Sequence, residues 1–140
     1  AGDHAPSFVD HVADKTRAEG NDLQILERST PFFIWANYPL ENIDAATSTA
    51  DSLNRMDMVM LAPTIAQQAG LPLTGYYKYL LAMKQQTPVV TAANDYMKVD
   101  GTTGTYGEDE SLDAWVKGYL ALEYNNIGAH AKRVQSIFGQ

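Results

Sequence analysis

Leu61-Ala62-Pro63-Thr64-Ile65-Ala66-Gln67-Gln68-Ala69-Gly70 reads as a short helix with both ends marked. Pro63 stands near the start, where its missing N–H has no partner to lose, and Gly70 stands where the chain must take a positive φ to leave the helix. Leu71-Pro72-Leu73 separates it from Thr74, a side-chain cap for a second helix over Gly75–Gln86. There Tyr76, Tyr77, Leu80, Leu81 and Lys84 recur at spacings of three and four, and Pro88 ends the pattern. Two capped helices in succession, followed by the β-branched run Val89-Val90-Thr91-Ala92, predict helices packed on a sheet.

Working outward, Lys98–Gly107 (KVDGTTGTYG) reads as a hairpin or turn. Ser111 opens the most regular helix, 111–126, with Leu112, Trp115, Val116, Tyr119, Leu120 and Glu123 on successive turns and Asp109, Glu110 and Asp113 at its positive end. In the tail, 129–138, Val134, Ile137 and Phe138 share one face between Gly128 and Gly139. Upstream, Thr30–Tyr38 (TPFFIWANY) is aromatic, β-branched and closed by Pro39, which predicts a strand. Ala5–Asp22 reads as a surface loop with one helical turn, and Glu41–Arg55, without apolar period, as a linker. The expected fold class is α/β with α+β character: a sheet including 30–38 and 89–92, covered by helices near 61–69, 76–86 and 111–126.

The chain has 140 residues, enough for one domain to bury a core, so 1–140 is read as one segment: a loop region over 1–29 and a sheet-helix subdomain over 30–140. No run approaches the roughly 20 apolar residues of a membrane-spanning helix. A formal charge of −7, with the Lys and Arg residues scattered, excludes a phosphate-neutralising nucleic-acid surface. It suits solubility first and a cation site second. The absence of cysteine removes disulfides, thiolate metal sites and cysteine nucleophiles. The first residues have neither a basic start nor an apolar run, so any export signal is expected upstream of them.

Gly2-Asp3-His4 is the sharpest chemical feature. A carboxylate oxygen and an imidazole nitrogen on adjacent residues can reach one divalent cation if the backbone turns, and Gly2 permits that turn. His11 and His130 read as surface histidines. Gly101, Gly104 and Gly107 lack the Lys-Ser/Thr of a phosphate loop and are turn glycines. Thr64 begins a helix in an Ala-Pro-Thr stretch and reads as structural, not as a nucleophile. Met56, Met58, Met60 and Met83 with Tyr76, Tyr77 and Tyr79 read as packing surface in preference to a ligand groove.

Five stretches in order, GDHAPSF at 2–8, TPFFIWAN at 30–37, MLAPTIAQQAGLP at 60–72, YYKYLLAMKQQTPVVTA at 76–92 and YLALEYNNIG at 119–128, resemble the C-terminal portion of the sulfatase-like branch of the alkaline phosphatase superfamily. Within it they lie closest to the lipoteichoic acid synthases and related phosphoglycerol transferases. The resemblance spans nearly the whole chain, and its first and third stretches are the most diagnostic. It implies the C-terminal fragment of an alkaline-phosphatase-like sheet domain, to which this part adds a small antiparallel sheet and a long helix.

It further implies a metal-dependent transferase or hydrolase of phosphate or sulfate esters at the extracytoplasmic face of the membrane, its parent anchored by upstream helices. Asp3 and His4 would be two ligands of a single divalent ion, manganese first, with magnesium, calcium or zinc as alternatives. The nucleophile, a further Glu ligand and the substrate-binding Arg and His precede Gly-Asp-His in that family. The expected partners are therefore the upstream half of the same catalytic domain and an anionic lipid-linked or polymer substrate, and the fragment alone is expected to bind metal weakly and turn nothing over. An exposed sheet edge is expected to allow self-association. The alternative is a non-catalytic module that binds cell-wall polymer or protein, in which Asp3 and His4 are incidental.

Overall fold

The computed structural model describes residues 19–30, 32, 34, 35, 37, 55–91, 95–128 and 132–139. The chain divides into two compact units, Ala1–Asn37 and Tyr38–Gln140. In the first, helix α1 spans Gly20–Glu27. The sequence reading placed a surface loop with one helical turn over 5–22; the helix begins at Gly20, within that stretch, and Asp22 in its first turn meets its positive end. At its other end Ser29 Oγ donates to the Ile25 carbonyl at 2.6 Å.

The strand expected over 30–38 does not form at the described positions: Thr30, Phe32, Ile34 and Trp35 carry no regular structure, and Trp35 is 77% exposed. Aromatic and β-branched residues favour a strand only when a neighbouring strand completes the ladder. The sheet of the second unit is complete without them. It is antiparallel, with order β1-β2-β3, made of β1 (Val89–Val90), β2 (Asp95–Met97) and β3 (Thr103–Thr105). Val89 pairs with Met97, Val90 with Tyr96, and Tyr96 with Gly104.

The helices follow their local punctuation. A 3-10 turn at Met58–Met60 leads into α2, Leu61–Gln68. Pro63 is buried in the first turn of α2, and Gly70 takes φ 67°. The Gly70 N–H donates to Gln67 at 3.1 Å and the Leu71 N–H to Ala66 at 2.9 Å, the paired bonds of a Schellman ending. Helix α3, Gly75–Lys84, is capped by Thr74, whose hydroxyl accepts from the Tyr77 N–H at 3.1 Å. Helix α4, Glu110–Glu123, begins one residue before Ser111 because Asp109 is its cap, accepting from the N–H groups of Ser111 and Leu112. It runs on into a π turn, Tyr124–Gly128, and the chain ends in the short helix α5, Gln135–Phe138.

The centre of the second unit is the contact among Met60, Met83 and Val116, with Val59, Tyr79, Val90, Trp115 and Tyr119 around it. Helices α3 and α4 approach closely at Gly118, where a Cβ would stand 2.2 Å from the Tyr79 hydroxyl. That hydroxyl donates to the Trp115 carbonyl at 2.7 Å, and the Tyr79 and Trp115 rings sit 5.3 Å apart. Thr87, fully buried, holds the end of α3 to the sheet: its Oγ lies 3.1 Å from the Val89 carbonyl and 3.0 Å from that of Met97.

Both outer edges of the sheet are occupied by carboxylates. In this register Pro88 and Val90 direct their backbone groups away from β2. The Asp57 N–H donates to the Pro88 carbonyl at 2.8 Å, and the Val90 N–H donates to the Asp57 carboxylate. On β3, the Thr105 N–H donates to Glu108 Oε2 at 2.9 Å. Self-association through a strand edge would have to displace them.

Gly104 lies against the buried Tyr96 ring, and a Cβ there would stand 2.9 Å from it. Gly104→Ala is therefore expected to destabilise the second unit by about 1–3 kcal/mol, read as a lower midpoint in urea. An unchanged midpoint would mean that Tyr96 is not held in place.

Candidate functional site

Asp3 and His4, the predicted metal ligands, lie outside the described residues, as do His11 and His130. A carboxylate and an imidazole suit a divalent cation in donor type and supply two of the four to six positions such an ion fills. Among the described residues no group of three or more His, Cys, Asp or Glu is arranged to hold a metal. Gly101 and Gly107 are turn residues with φ 86° and 102°. Met60 and Met83 are core, while Met58 faces solvent. Thr64 is buried, and its hydroxyl donates to the Met60 carbonyl at 2.7 Å, so its proton serves the helix.

Two polar clusters go beyond what sequence reasoning singled out. On one side of α2 and α3, Lys84 Nζ lies 3.4 Å from Thr64 Oγ, and burial lowers the pKa of the amine. Gln68, also on α2, has a buried Oε1 without a hydrogen-bond partner.

The larger cluster lines a groove of about 490 Å³ between α4 and β1. It is lined by Asp57, Val90, Thr91, Val116, Tyr119, Leu120 and Glu123. Each acid is placed by a local cause. Asp57 caps the 3-10 turn, its Oδ1 accepting from the Val59 N–H at 3.1 Å. Glu123, at the end of α4, accepts from the hydroxyl of Tyr76, which comes from the start of α3. Burial pushes the Asp57 carboxyl above its ordinary value against the opposing pull of its backbone donors, and the charge of Glu123 adds to the rise. Burial, then Glu123 and Asp57, push Tyr119 up to about 12, and the Tyr76 hydroxyl is raised by burial and by Glu123. The arrangement can bind a hydrogen-bond donor or a cation.

A second, more open hollow of about 340 Å³ lies beside Lys98, Asp109 and Ser111. The ion pair between Lys98 Nζ and Asp109 Oδ2, 2.8 Å apart, closes one side of it. Lys98, the Ser111 hydroxyl and the Leu112 N–H hold Asp109 well below the usual carboxylate range.

No family model, no curated protein and no solved structure matches this chain.

Asp57 gives the groove a titration with a defined sign. Its folded-state pKa is raised, so the stability linked to its protonated form is complete below about 3.8 and is lost as pH rises through the folded value. Asp57→Asn keeps the acceptor without the buried charge. Its melting temperature relative to wild type should rise as pH increases from about 3.8 through the folded value and then level off. Asp57→Ala, which loses the cap, should cost about 1 kcal/mol at pH 7. A difference between Asp57→Asn and wild type that does not change with pH would show that Asp57 carries no buried charge.

Proposed function

We propose that this chain is the C-terminal part of a metal-dependent, sulfatase-like phosphoglycerol transferase or hydrolase, acting on phosphate or sulfate esters at the outer face of the membrane and inactive as a fragment. Gly2-Asp3-His4 followed in order by the other four stretches carries this reading. Two features of the fold support it: the Pro63-Thr64 helix ends in a Schellman turn at Gly70, and a small antiparallel sheet is followed by the longest described helix, α4. No described helix is long and apolar enough to cross a membrane.

Asp3 and His4 would hold one divalent ion, manganese first, with the remaining ligands from the upstream half of the domain. When bound, such an ion lowers the pKa of a nucleophile and offsets charge developing on the ester. The chain's own contribution is the carboxylate and the imidazole, which bind a metal ion in their deprotonated forms.

The test uses the full-length protein with manganese, assayed on p-nitrophenyl phosphate, p-nitrophenyl sulfate and phosphatidylglycerol vesicles. Asp3→Ala and His4→Ala should each lower turnover at least about 100-fold, and the 140-residue chain alone should show none. Full activity in both variants, or no metal-dependent turnover of any of the three substrates, would sink the reading.

A further inference from the structure

Residues 132–139 lie against the start of α3 without burying a single side chain: 132–136 are exposed, and Ile137 and Phe138 are half-buried. The helix within them, α5, has four residues, far below the ~12–15 at which a helix begins to hold itself in water, so its contacts set its position. Asn125, in the π turn after α4, grips the backbone at two points. Its Oδ1 accepts from the Val134 N–H at 3.0 Å, and its Nδ2 donates to the Lys132 carbonyl at 3.3 Å. The Phe138 ring stands 5.3 Å from that of Tyr76 and carries the Arg133 guanidinium over it, 4.8 Å from its centroid. At Gly75, the first residue of α3, a Cβ would meet the Ile137 carbonyl oxygen at 3.2 Å and its Cα at 3.4 Å, so α5 approaches where α3 has no side chain.

What lies beneath is more deeply buried than what covers it. Tyr76 is 8% exposed, and its hydroxyl donates to Glu123, tying the start of α3 to the end of α4. A buried side chain covered by exposed residues, exposed hydrogen bonds and one ring contact is the arrangement that opens locally at a cost below that of global unfolding. Within α5 the bonds depend on one another. The Ile137 N–H donates to the Val134 carbonyl at 3.0 Å, so losing the position of Val134 loses the turn.

We propose that residues 132–139 form a strap that lifts from α3 as one piece while the rest of the second unit stays folded, and that its lifting opens Tyr76 and its bond with Glu123 to solvent. Asn125 is the clasp and Gly75 the seat. The inference stands apart from the catalytic reading, since none of these residues belongs to the proposed metal site.

Hydrogen exchange followed by NMR on the 140-residue chain reads the strap amide by amide. Nitration with tetranitromethane, mapped by mass spectrometry, reads Tyr76 against the exposed Tyr124 and the buried Tyr96 in the same molecule. Corrected for intrinsic rates, the amides of Val134 and Ile137 should exchange at least about 100-fold faster than that of Val116 in the middle of α4. Asn125→Ala removes the clasp and Gly75→Val wedges the seat. Each should speed Val134 and Ile137 by the same factor, about tenfold, and the nitration of Tyr76 with them, leaving Val116 and Tyr96 as in wild type. Ile137 is the decisive amide, because its hydrogen bond goes to Val134 and not to Asn125. Exchange of both strap amides at the rate of Val116, an Ile137 that stays slow while Val134 quickens, or Tyr76 nitration that responds to neither variant overturns the proposal. A Val116 that quickens along with the strap would make 132–139 part of the global folding unit and overturns it equally.

Discussion

The contact of Met60 with Met83 and Val116 organises the second unit, because each residue comes from a different segment: the 3-10 turn, the end of α3 and the middle of α4. Burying three such side chains is worth several kcal/mol, of the order of a small domain's net stability. Removing any one would separate two helices and the turn that seats β1 through Asp57. Methionine suits the position, since an unbranched side chain can fill the irregular gap where a turn, two helices and a short strand converge. The antiparallel contact of α3 with α4 follows: with Met83 against Val116, Tyr79 falls on Trp115 and Gly118, and Tyr76 reaches Glu123.

The acidic character of the chain takes on a structural meaning. Asp57, Asp100, Glu108, Asp109 and Asp113 each accept a backbone N–H, from Val59, Thr102, Thr105, Ser111 and Gly107 respectively. These donors lie at helix starts, in turns and on sheet edges, the places where backbone N–H groups lack a partner from regular structure. Short elements have many such ends relative to their length, and strands of two or three residues cannot stabilise themselves by their own ladder. Carboxylates at those ends do the work that longer elements would do internally. The charge thus reflects the short elements as well as solubility.

What could be read from the sequence divides along the same line. Helix ends set by neighbouring residues were legible: Gly70 and Thr74 act within one turn of themselves, and the structure bears out both. Ser111 misled by one residue because Asp109 and Ser111 are both cap formers, and the carboxylate reaches the backbone first. At the described positions of 30–38 the expected strand is absent for the opposite reason: strand propensity is a statement about packing on a neighbour, and no neighbour is named by the residues themselves. The groove was illegible too, since Asp57 comes from a stretch without period, and Val90 and Glu123 reach it only through tertiary packing. For the metal pair Asp3 and His4, placement lies outside the described residues, and the chemistry of the two side chains carries that reading.

The groove's carboxylates pull in different directions. Asp57 is needed for its oxygens, which cap a turn and occupy the β1 edge, yet its charge is partly buried and faces Glu123. Asparagine would keep an acceptor at lower electrostatic cost, so stability alone does not account for the charge. Glu123 is likewise more than the Tyr76 hydroxyl requires, since a glutamine carbonyl would accept the same bond.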